Sequence, residues 1–202
     1  IVFGDWSSDV CSSDLTKIKL KNGKISSLII NGEEELTTDV CLIGIGHSAR
    51  DTFEMLYQND LNMVPKAFSI GLRIEHLQSM INERQYGKFA THIALGAADY
   101  KLSYHSPSGR SAYTFCMCPG GYVVCSTSEE KRVVTNGMSK HKRDGLNANS
   151  ALLVNVLPSD FPSDHPLAGI EFQRQLEEKA FQAGGGKYFA PIQRVGDRKS
   201  VV

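Results

Sequence analysis

Residues 37–53 read TTDVCLIGIGHSARDTF, and this stretch decides how the rest of the chain is interpreted. Its apolar run, Val40–Ile45, has the length of a buried strand. The run leads into Gly44-x-Gly46-x-x-Ala49, which is the spacing of a dinucleotide-binding turn. A plain strand-to-helix turn that binds nothing has the same spacing, so the pattern alone leaves both interpretations open.

A helix is predicted directly after this turn. Ser48 and Asp51 have the spacing of a capping box, which predicts that the helix begins at Ala49. The free N–H groups at a helix N-terminus and the helix dipole favour negative charge, and glycine lets a ligand approach the backbone. Strand, turn and helix together therefore predict a seat for a phosphate group.

The two ends of the chain do not resemble protein-coding sequence. Residues 5–15, DWSSDVCSSDL, and residues 197–202, DRKSVV, back-translate without a gap to strings that resemble sequencing adaptors. We interpret 1–15 and 197–202 as adaptor-derived and non-native, and the chain as a metagenomic fragment, and we exclude both ends from fold reasoning.

Composition narrows the class of protein. The chain has 22 basic and 22 acidic residues and a formal net charge of zero, which gives no support for a nucleic-acid or membrane-surface partner. It contains no apolar run of membrane-spanning length. Four cysteines remain when the ends are excluded, too few for a disulfide scaffold, so we expect a reducing, cytoplasmic location.

The order of elements predicts a mixed fold. Two Asn-Gly turns, at 22–23 and 31–32, predict a three-stranded antiparallel meander that ends near Leu36. A strand at 66–74, a helix at 75–86, a strand-rich region at 99–157 and an amphipathic helix at 169–182 follow. We expect an α/β and α+β chain with part of a cofactor domain at 16–58, a β-rich domain at 59–168, and a helix at 169–196 that returns to the first domain.

Five motifs together resemble one family. The motifs are GIGHSARDTF at 44–53, FSIGLRIEH at 68–76, FCMCPGG at 115–121, VTNGMS at 134–139 and ANSALLVNV at 148–156. They resemble the FAD-dependent dehydrogenase-like proteins, which are mostly uncharacterised bacterial proteins similar in fold to glutathione-reductase-type flavoproteins. The resemblance covers most of 37–195.

The resemblance implies an FAD-dependent oxidoreductase with a small-molecule substrate or electron donor that the sequence does not identify. In that fold a Rossmann-like FAD domain is interrupted by a β-rich substrate domain, and the meander precedes a strand that ends near the FAD phosphates. The residues implied to line the cofactor are Gly44, Gly46, His47, Ser48 and Arg50. The family's first phosphate-binding turn and its closing FAD segment lie outside this sequence, so we expect the fragment alone to be inactive.

Cys116 and Cys118 form the most unusual motif, CMCPGG. In a regular strand the two thiols point to the same face, with Met117 opposite. Such a pair beside a tight turn is either redox-active against a flavin or a set of small side chains that packs closely. Cys125 and a remote histidine make poor additional zinc ligands, so we predict no metal site.

Arg73, Glu75 and His76 lie together at a predicted strand end, where they either face the substrate side of a flavin or are solvated. A second interpretation of the region is an NAD(P)-binding βαβ unit, in which Glu75 holds the ribose hydroxyl or Arg73 a 2′-phosphate. A third is a non-catalytic flavin-binding accessory protein. The meander counts against the βαβ unit.

Overall fold

The structure is a computed structural model, and it describes residues 14–196. It contains helices and antiparallel sheets, which confirms the α+β class. The adaptor-derived segments predicted at 1–15 and 197–202 lie outside the described residues, except for Asp14 and Leu15. That interpretation of the two ends therefore stays a prediction.

Internal contacts divide the described chain into two units. Residues 14–65 and 163–170 form the first, here called the meander unit. Residues 66–162 and 171–196 form the second, here called the sheet unit. None of the helices within residues 14–196 is long and apolar enough to cross a membrane.

The predicted meander is confirmed. Its strands are β1 (Leu15–Lys21), β2 (Lys24–Ile30) and β3 (Glu34–Thr37), paired antiparallel in sequence order. Asn22 and Gly23 both have positive φ, at 53° and 72°, as a type I′ turn requires. The core of the unit consists of Ile18, Leu28, Ile30 and Leu56.

The predicted strand at Val40–Ile45 is wrong. These residues form no ladder, because no strand among the described residues pairs with them. The segment still alternates: Cys41 and Ile43 pack against the core of the meander unit, whereas Val40 and Leu42 are 77% and 85% exposed. Side chains along an apolar run can alternate between buried and exposed as in a strand. A strand also requires backbone hydrogen bonds to a neighbouring strand.

Helix α1 (Arg50–Gln58) follows the glycine turn, as predicted. The predicted capping role of Ser48 is wrong, because Ala49 is the N-cap residue and makes no side-chain capping bond. Asp51 instead accepts a hydrogen bond from the neighbouring Thr52 N–H at 2.8 Å.

The sheet unit is built on a four-stranded antiparallel sheet in the order β4-β9-β6-β5. Its elements in chain order are β4 (Phe68–Leu77), α2 (Gln78–Tyr86), β5 (Ser103–His105), β6 (Ser111–Cys118), β7 (Gly121–Ser126), β8 (Val134–Ser139), β9 (Asn147–Val156) and, from residue 171 onward, α3 (Ala168–Ala183). Strands β7 and β8 form a separate antiparallel pair. Short 3-10 helices occur at Gly87–Phe89 and Pro158–Asp160. The strand-rich prediction for 99–157 is thereby confirmed.

Strand register assigns each side chain of this sheet to one of two faces. Residues directly opposite each other share a face, and side chains alternate along a strand. Arg73 lies opposite Ala151, Glu75 opposite Asn149, and Cys118 also opposite Asn149, so these side chains share one face. His76, opposite Ala148, belongs to the other face.

Candidate functional site

The glycine turn of the meander unit is open. Gly46 has φ of +67°, which L side chains rarely adopt, and a Cβ built on Gly44 or Gly46 meets no atom within 4 Å. The backbone N–H groups of Ile45, Gly46 and His47 donate to no group within residues 14–196. His47 and Ser48 are exposed. These donors, with the N-terminus of α1 behind them, suit an anionic group such as a phosphate.

Arg50 is placed differently from the other residues of this turn. Its side chain is only 4% exposed, and its backbone N–H donates to the Ser48 carbonyl at 2.9 Å. The Arg50 side chain is therefore buried at the start of α1. The glycines and Ser48 therefore form the exposed part of the turn, and Arg50 lies in its interior.

A second polar site, the Arg73 cluster, lies on one face of the sheet in the other unit. It consists of Arg73, Cys116, Cys118, Gly137 and Asn149. Arg73 Nη1 donates to Asn149 Oδ1 in a short hydrogen bond, to the Cys116 carbonyl at 3.3 Å, and to Cys118 Sγ at 3.8 Å. Two strands, β6 and β9, thus supply the three acceptors around one guanidinium nitrogen.

A β-bulge shapes this cluster. The register of β6 against β9 shifts between Phe115 and Cys118, and Cys116 has φ of +46°. The extra residue turns the Cys116 carbonyl toward Arg73, and the same carbonyl accepts a hydrogen bond from Cys118 Sγ at 3.3 Å. The simple same-face geometry predicted for the two cysteines is therefore wrong, because the bulge breaks the alternation.

The thiols are free. Cys41, Cys116, Cys118 and Cys125 form no disulfide within residues 14–196, and Cys116 is exposed whereas Cys118 is partly buried. In the same part of the chain, no group of three or more His, Cys, Asp or Glu side chains is arranged to hold a metal ion. The redox-active and the closely packed interpretations of the cysteine pair both stay predictions.

Asn149 is the buried centre of the Arg73 cluster, and its side chain is 0% exposed. Its Oδ1 binds Arg73, but its Nδ2 has no hydrogen-bond partner among the described residues. Buried polar atoms in proteins nearly always have a hydrogen-bond partner. The unpaired Nδ2 of Asn149 therefore makes the Arg73 cluster a candidate functional site. In the sequence, Asn149 stands out only as a polar residue within the predicted strand-rich region.

The structure does not bring Arg73, Glu75 and His76 together. Glu75 shares a face with Arg73 but accepts a hydrogen bond from Asn147 Nδ2 at 2.7 Å. His76 lies on the other face, where its Nε2 is 2.7 Å from the Tyr100 hydroxyl. Burial raises the pKa of Tyr100 above its ordinary value, against a smaller opposite effect of its hydrogen bond with Ser150. Sequence reasoning did not find Tyr100.

The comparisons with known proteins agree with the resemblance that the motifs carry. The model of the family described as FAD-dependent protein, C-terminal domain-like, matches residues 67–200. The chain belongs to this family. The match begins one residue after the start of the sheet unit and includes every residue of the Arg73 cluster. It also extends into 197–202, one of the two segments interpreted as adaptor-derived.

A relative from Clostridium beijerinckii extends the match beyond the family's range. This uncharacterized protein is 54% identical over 187 residues, which is 92% of the chain. The chain spans only 35% of the length of that relative. The connection to FAD comes from the family's description alone, because the relative is uncharacterized.

Proposed function

We propose that the chain is part of an FAD-dependent oxidoreductase of the dehydrogenase-like kind, in which the Gly44–Ser48 turn contacts the cofactor and the substrate is a small molecule. Membership of the FAD-dependent family carries this proposal. When bound, the flavin supplies reversible electron transfer, and the protein binds and orients it. The finer Rossmann-like assignment of the meander unit is part of the same proposal.

The residues of the turn fit an FAD phosphate or ribose. Gly46 provides positive φ without a side chain, and Gly44 leaves space beside it. The N–H groups of 45–47 are available as donors, and His47 and Ser48 add exposed polar side chains. Arg50 supports the turn from its buried position. These contacts would hold the cofactor in place. The Arg73 cluster lies in the other unit, which is the one that the family model matches.

The NAD(P)-binding βαβ alternative lacks its central feature. A βαβ unit needs two parallel strands, and every strand pair within residues 14–196 is antiparallel. Residues 40–45 form no ladder, and β4 pairs antiparallel with β9. Arg73 and Glu75 are also tied to Asn149 and Asn147.

The test uses the full-length protein. We expect it to elute from gel filtration with the absorbance spectrum of bound flavin, and to release FAD on heat denaturation. Anaerobic addition of NADH, NADPH or dithionite then shows whether the bound flavin is reduced. A protein that refolds with added FAD but retains none would contradict the proposal. Retained flavin that dithionite reduces, but NADH and NADPH do not, would show that the electron donor is not a nicotinamide nucleotide.

A further inference from the structure

We propose that the Arg73 cluster binds an oxyanion, either a carboxylate or a phosphate group, on the free edge of the Arg73 guanidinium. Nothing in the flavin proposal requires this site, and it stands on the contacts of the sheet unit alone. The juxtaposition that carries it is a half-buried arginine, held by one nitrogen, beside a fully buried asparagine with an unpaired Nδ2.

The Arg73 guanidinium is only partly occupied by hydrogen bonds within the described part of the protein. All three hydrogen bonds of Arg73 leave from Nη1, and they saturate that nitrogen. Nε and Nη2 make no hydrogen bond to any residue in the range 14–196, and neither is among the fully buried polar atoms of that range. Nε and Nη2 form one edge of the guanidinium fork, so a complete two-donor edge remains free and reaches solvent.

The positive charge of Arg73 is not paired with a carboxylate in the described part of the chain. The three acceptors around Nη1 are the Asn149 amide oxygen, the Cys116 backbone carbonyl and Cys118 Sγ, so no carboxylate is among them. No carboxylate in the described part of the chain forms an ion pair with Arg73. Glu75, on the same face, is hydrogen-bonded to Asn147. A partly buried cation without a counter-ion attracts an anion from solution more strongly than an exposed one.

Another arginine of the sheet unit, Arg174, uses the same Nε–Nη2 edge to bind a carboxylate. Arg174 uses Nε and Nη2 to hold the Glu129 carboxylate, with Nε–Oε2 at 3.1 Å and Nη2–Oε1 at 2.8 Å. This is the edge that is free on Arg73. A planar fork of this kind matches the geometry of carboxylate and phosphate oxygens and binds them bidentately. A ligand oxyanion would take at Arg73 the place that Glu129 takes at Arg174.

The residues around the Arg73 guanidinium restrict its orientation. A Cβ on Gly137 would collide with Arg73 Nη1 and Asn149 Oδ1, so β8 passes directly over them only because residue 137 is glycine. Cys116 keeps φ of +46° to aim its carbonyl at the same nitrogen. A non-glycine residue at positive φ costs free energy and often marks a functional site. An orientation fixed in advance lowers the entropic cost of binding a ligand.

The experiment observes the Arg73 Nε–H signal directly. The chain is labelled with 15N-arginine, and the side-chain Nε–H signals are followed by NMR during titration with sodium acetate or sodium phosphate at constant ionic strength. Sodium chloride serves as the control salt. The Arg73 signal is assigned by its disappearance in Arg73→Lys. The Arg174 signal is the internal control, because its edge is already occupied by Glu129.

We expect the Arg73 signal to move and saturate, with a dissociation constant of about 1 mM or tighter, while the Arg174 signal stays in place. Saturation with acetate alone assigns a carboxylate ligand, saturation with phosphate alone assigns a phosphate ester, and saturation with both assigns a general oxyanion site. No saturating shift with either salt up to about 50 mM, in a folded chain, would overturn the proposal.

Variants provide an independent readout through stability. An anion that binds only the folded state raises the unfolding midpoint, so acetate or phosphate should raise it in the unmodified chain relative to chloride. Arg73→Gln should weaken this effect about 10- to 100-fold in apparent affinity. Arg110→Gln is the matched control, because Arg110 is paired with Asp160 and should leave the effect unchanged. If acetate or phosphate raises the unfolding midpoint of Arg73→Gln as much as that of the unmodified chain, the anion binds at another site and the proposal is wrong.

Discussion

Gly137 lies directly over Arg73, with no room for a side chain between them. We predict that Gly137→Ala destabilises the chain by about 1–3 kcal/mol, because the added methyl group must displace the guanidinium or β8. Gly96→Ala is the matched control, since a Cβ at Gly96 meets no atom within 4 Å and its φ lies outside the left-handed region. Chemical denaturation of both variants measures the difference. Equal stabilities would show that β8 moves away from Arg73 at no cost.

Cys116 provides a test of backbone strain at the bulge. Its φ is +46°, a region that costs an L-residue about 1–2 kcal/mol but costs glycine little. Cys116→Gly and Cys116→Ala both remove the thiol and keep the carbonyl that binds Arg73. We expect the glycine variant to be more stable than the alanine variant by about 1 kcal/mol. The opposite order, measured by urea unfolding, would argue against positive φ at this position.

Asp160 makes the stability of the sheet unit depend on pH. Hydrogen bonds from Arg110, and then from the Leu157 N–H, lower the pKa of Asp160 to about 2. Its pKa in an unfolded chain is about 3.9, so the folded state favours the ionised carboxylate. The resulting stabilisation is fully present above about pH 4 and is lost as the pH falls toward about 2.

We therefore expect the unmodified chain to be more stable than Asp160→Asn at neutral pH, and this difference to shrink between about pH 4 and pH 2. Urea unfolding at a series of pH values measures it. Adding Arg110→Met to Asp160→Asn should not alter how the free energy of unfolding depends on pH between about pH 4 and pH 2. The reason is that the carboxylate that titrates in this range is already absent. A difference that stays constant down to pH 2 would contradict the assignment of the ion pair.

Gly46 tests the cofactor turn in the full-length protein. A valine at φ of +67° is strained by about 1–2 kcal/mol, and its branched side chain would fill the open space beside the turn. We expect Gly46→Val to lower flavin affinity about tenfold or more, measured as bound FAD after gel filtration.

The matched control for this variant is Gly32→Val. Gly32 also has positive φ, at +80°, and a Cβ there also meets no atom within 4 Å, but it lies in the β2–β3 turn. Both variants should lose similar stability, and only Gly46→Val should lose flavin. Normal flavin content in a folded Gly46→Val protein would mean that this glycine has a purely structural role.

Local patterns predicted the meander correctly and the strand at 40–45 wrongly, for one physical reason. An Asn-Gly turn is decided by the backbone preferences of two adjacent residues, which are visible in the sequence. A strand is decided by a ladder with a partner, and the sequence of 40–45 contains no information about where that partner lies. Val40 and Leu42 are exposed, as alternation along a strand would place them, but the segment has no hydrogen-bonded partner strand within the described chain.

The Arg73 cluster was beyond sequence reasoning for a related reason. Arg73 and Asn149 are 76 residues apart in sequence, and register alone places them on the same face. The sequence FCMC marks the two cysteines as an unusual pair, but it does not show that β6 bulges at Cys116. His76 was grouped with Arg73 because the two are near in sequence, although alternation along β4 sends them to opposite faces.

The short turns of the meander limit the changes that evolution or engineering can make there. Ile18 lies opposite Leu28, and Lys17 and Lys19 occupy the positions on either side of Ile18. Inserting or deleting one residue at Asn22-Gly23 would slide β1 past β2 and place a lysine where Ile18 packs, since a slip of one residue exchanges the two faces of a strand. Length changes at this turn should therefore be tolerated in steps of two residues, or where a single extra residue is taken up in the irregularity that the pair already has between Lys19 and Leu20.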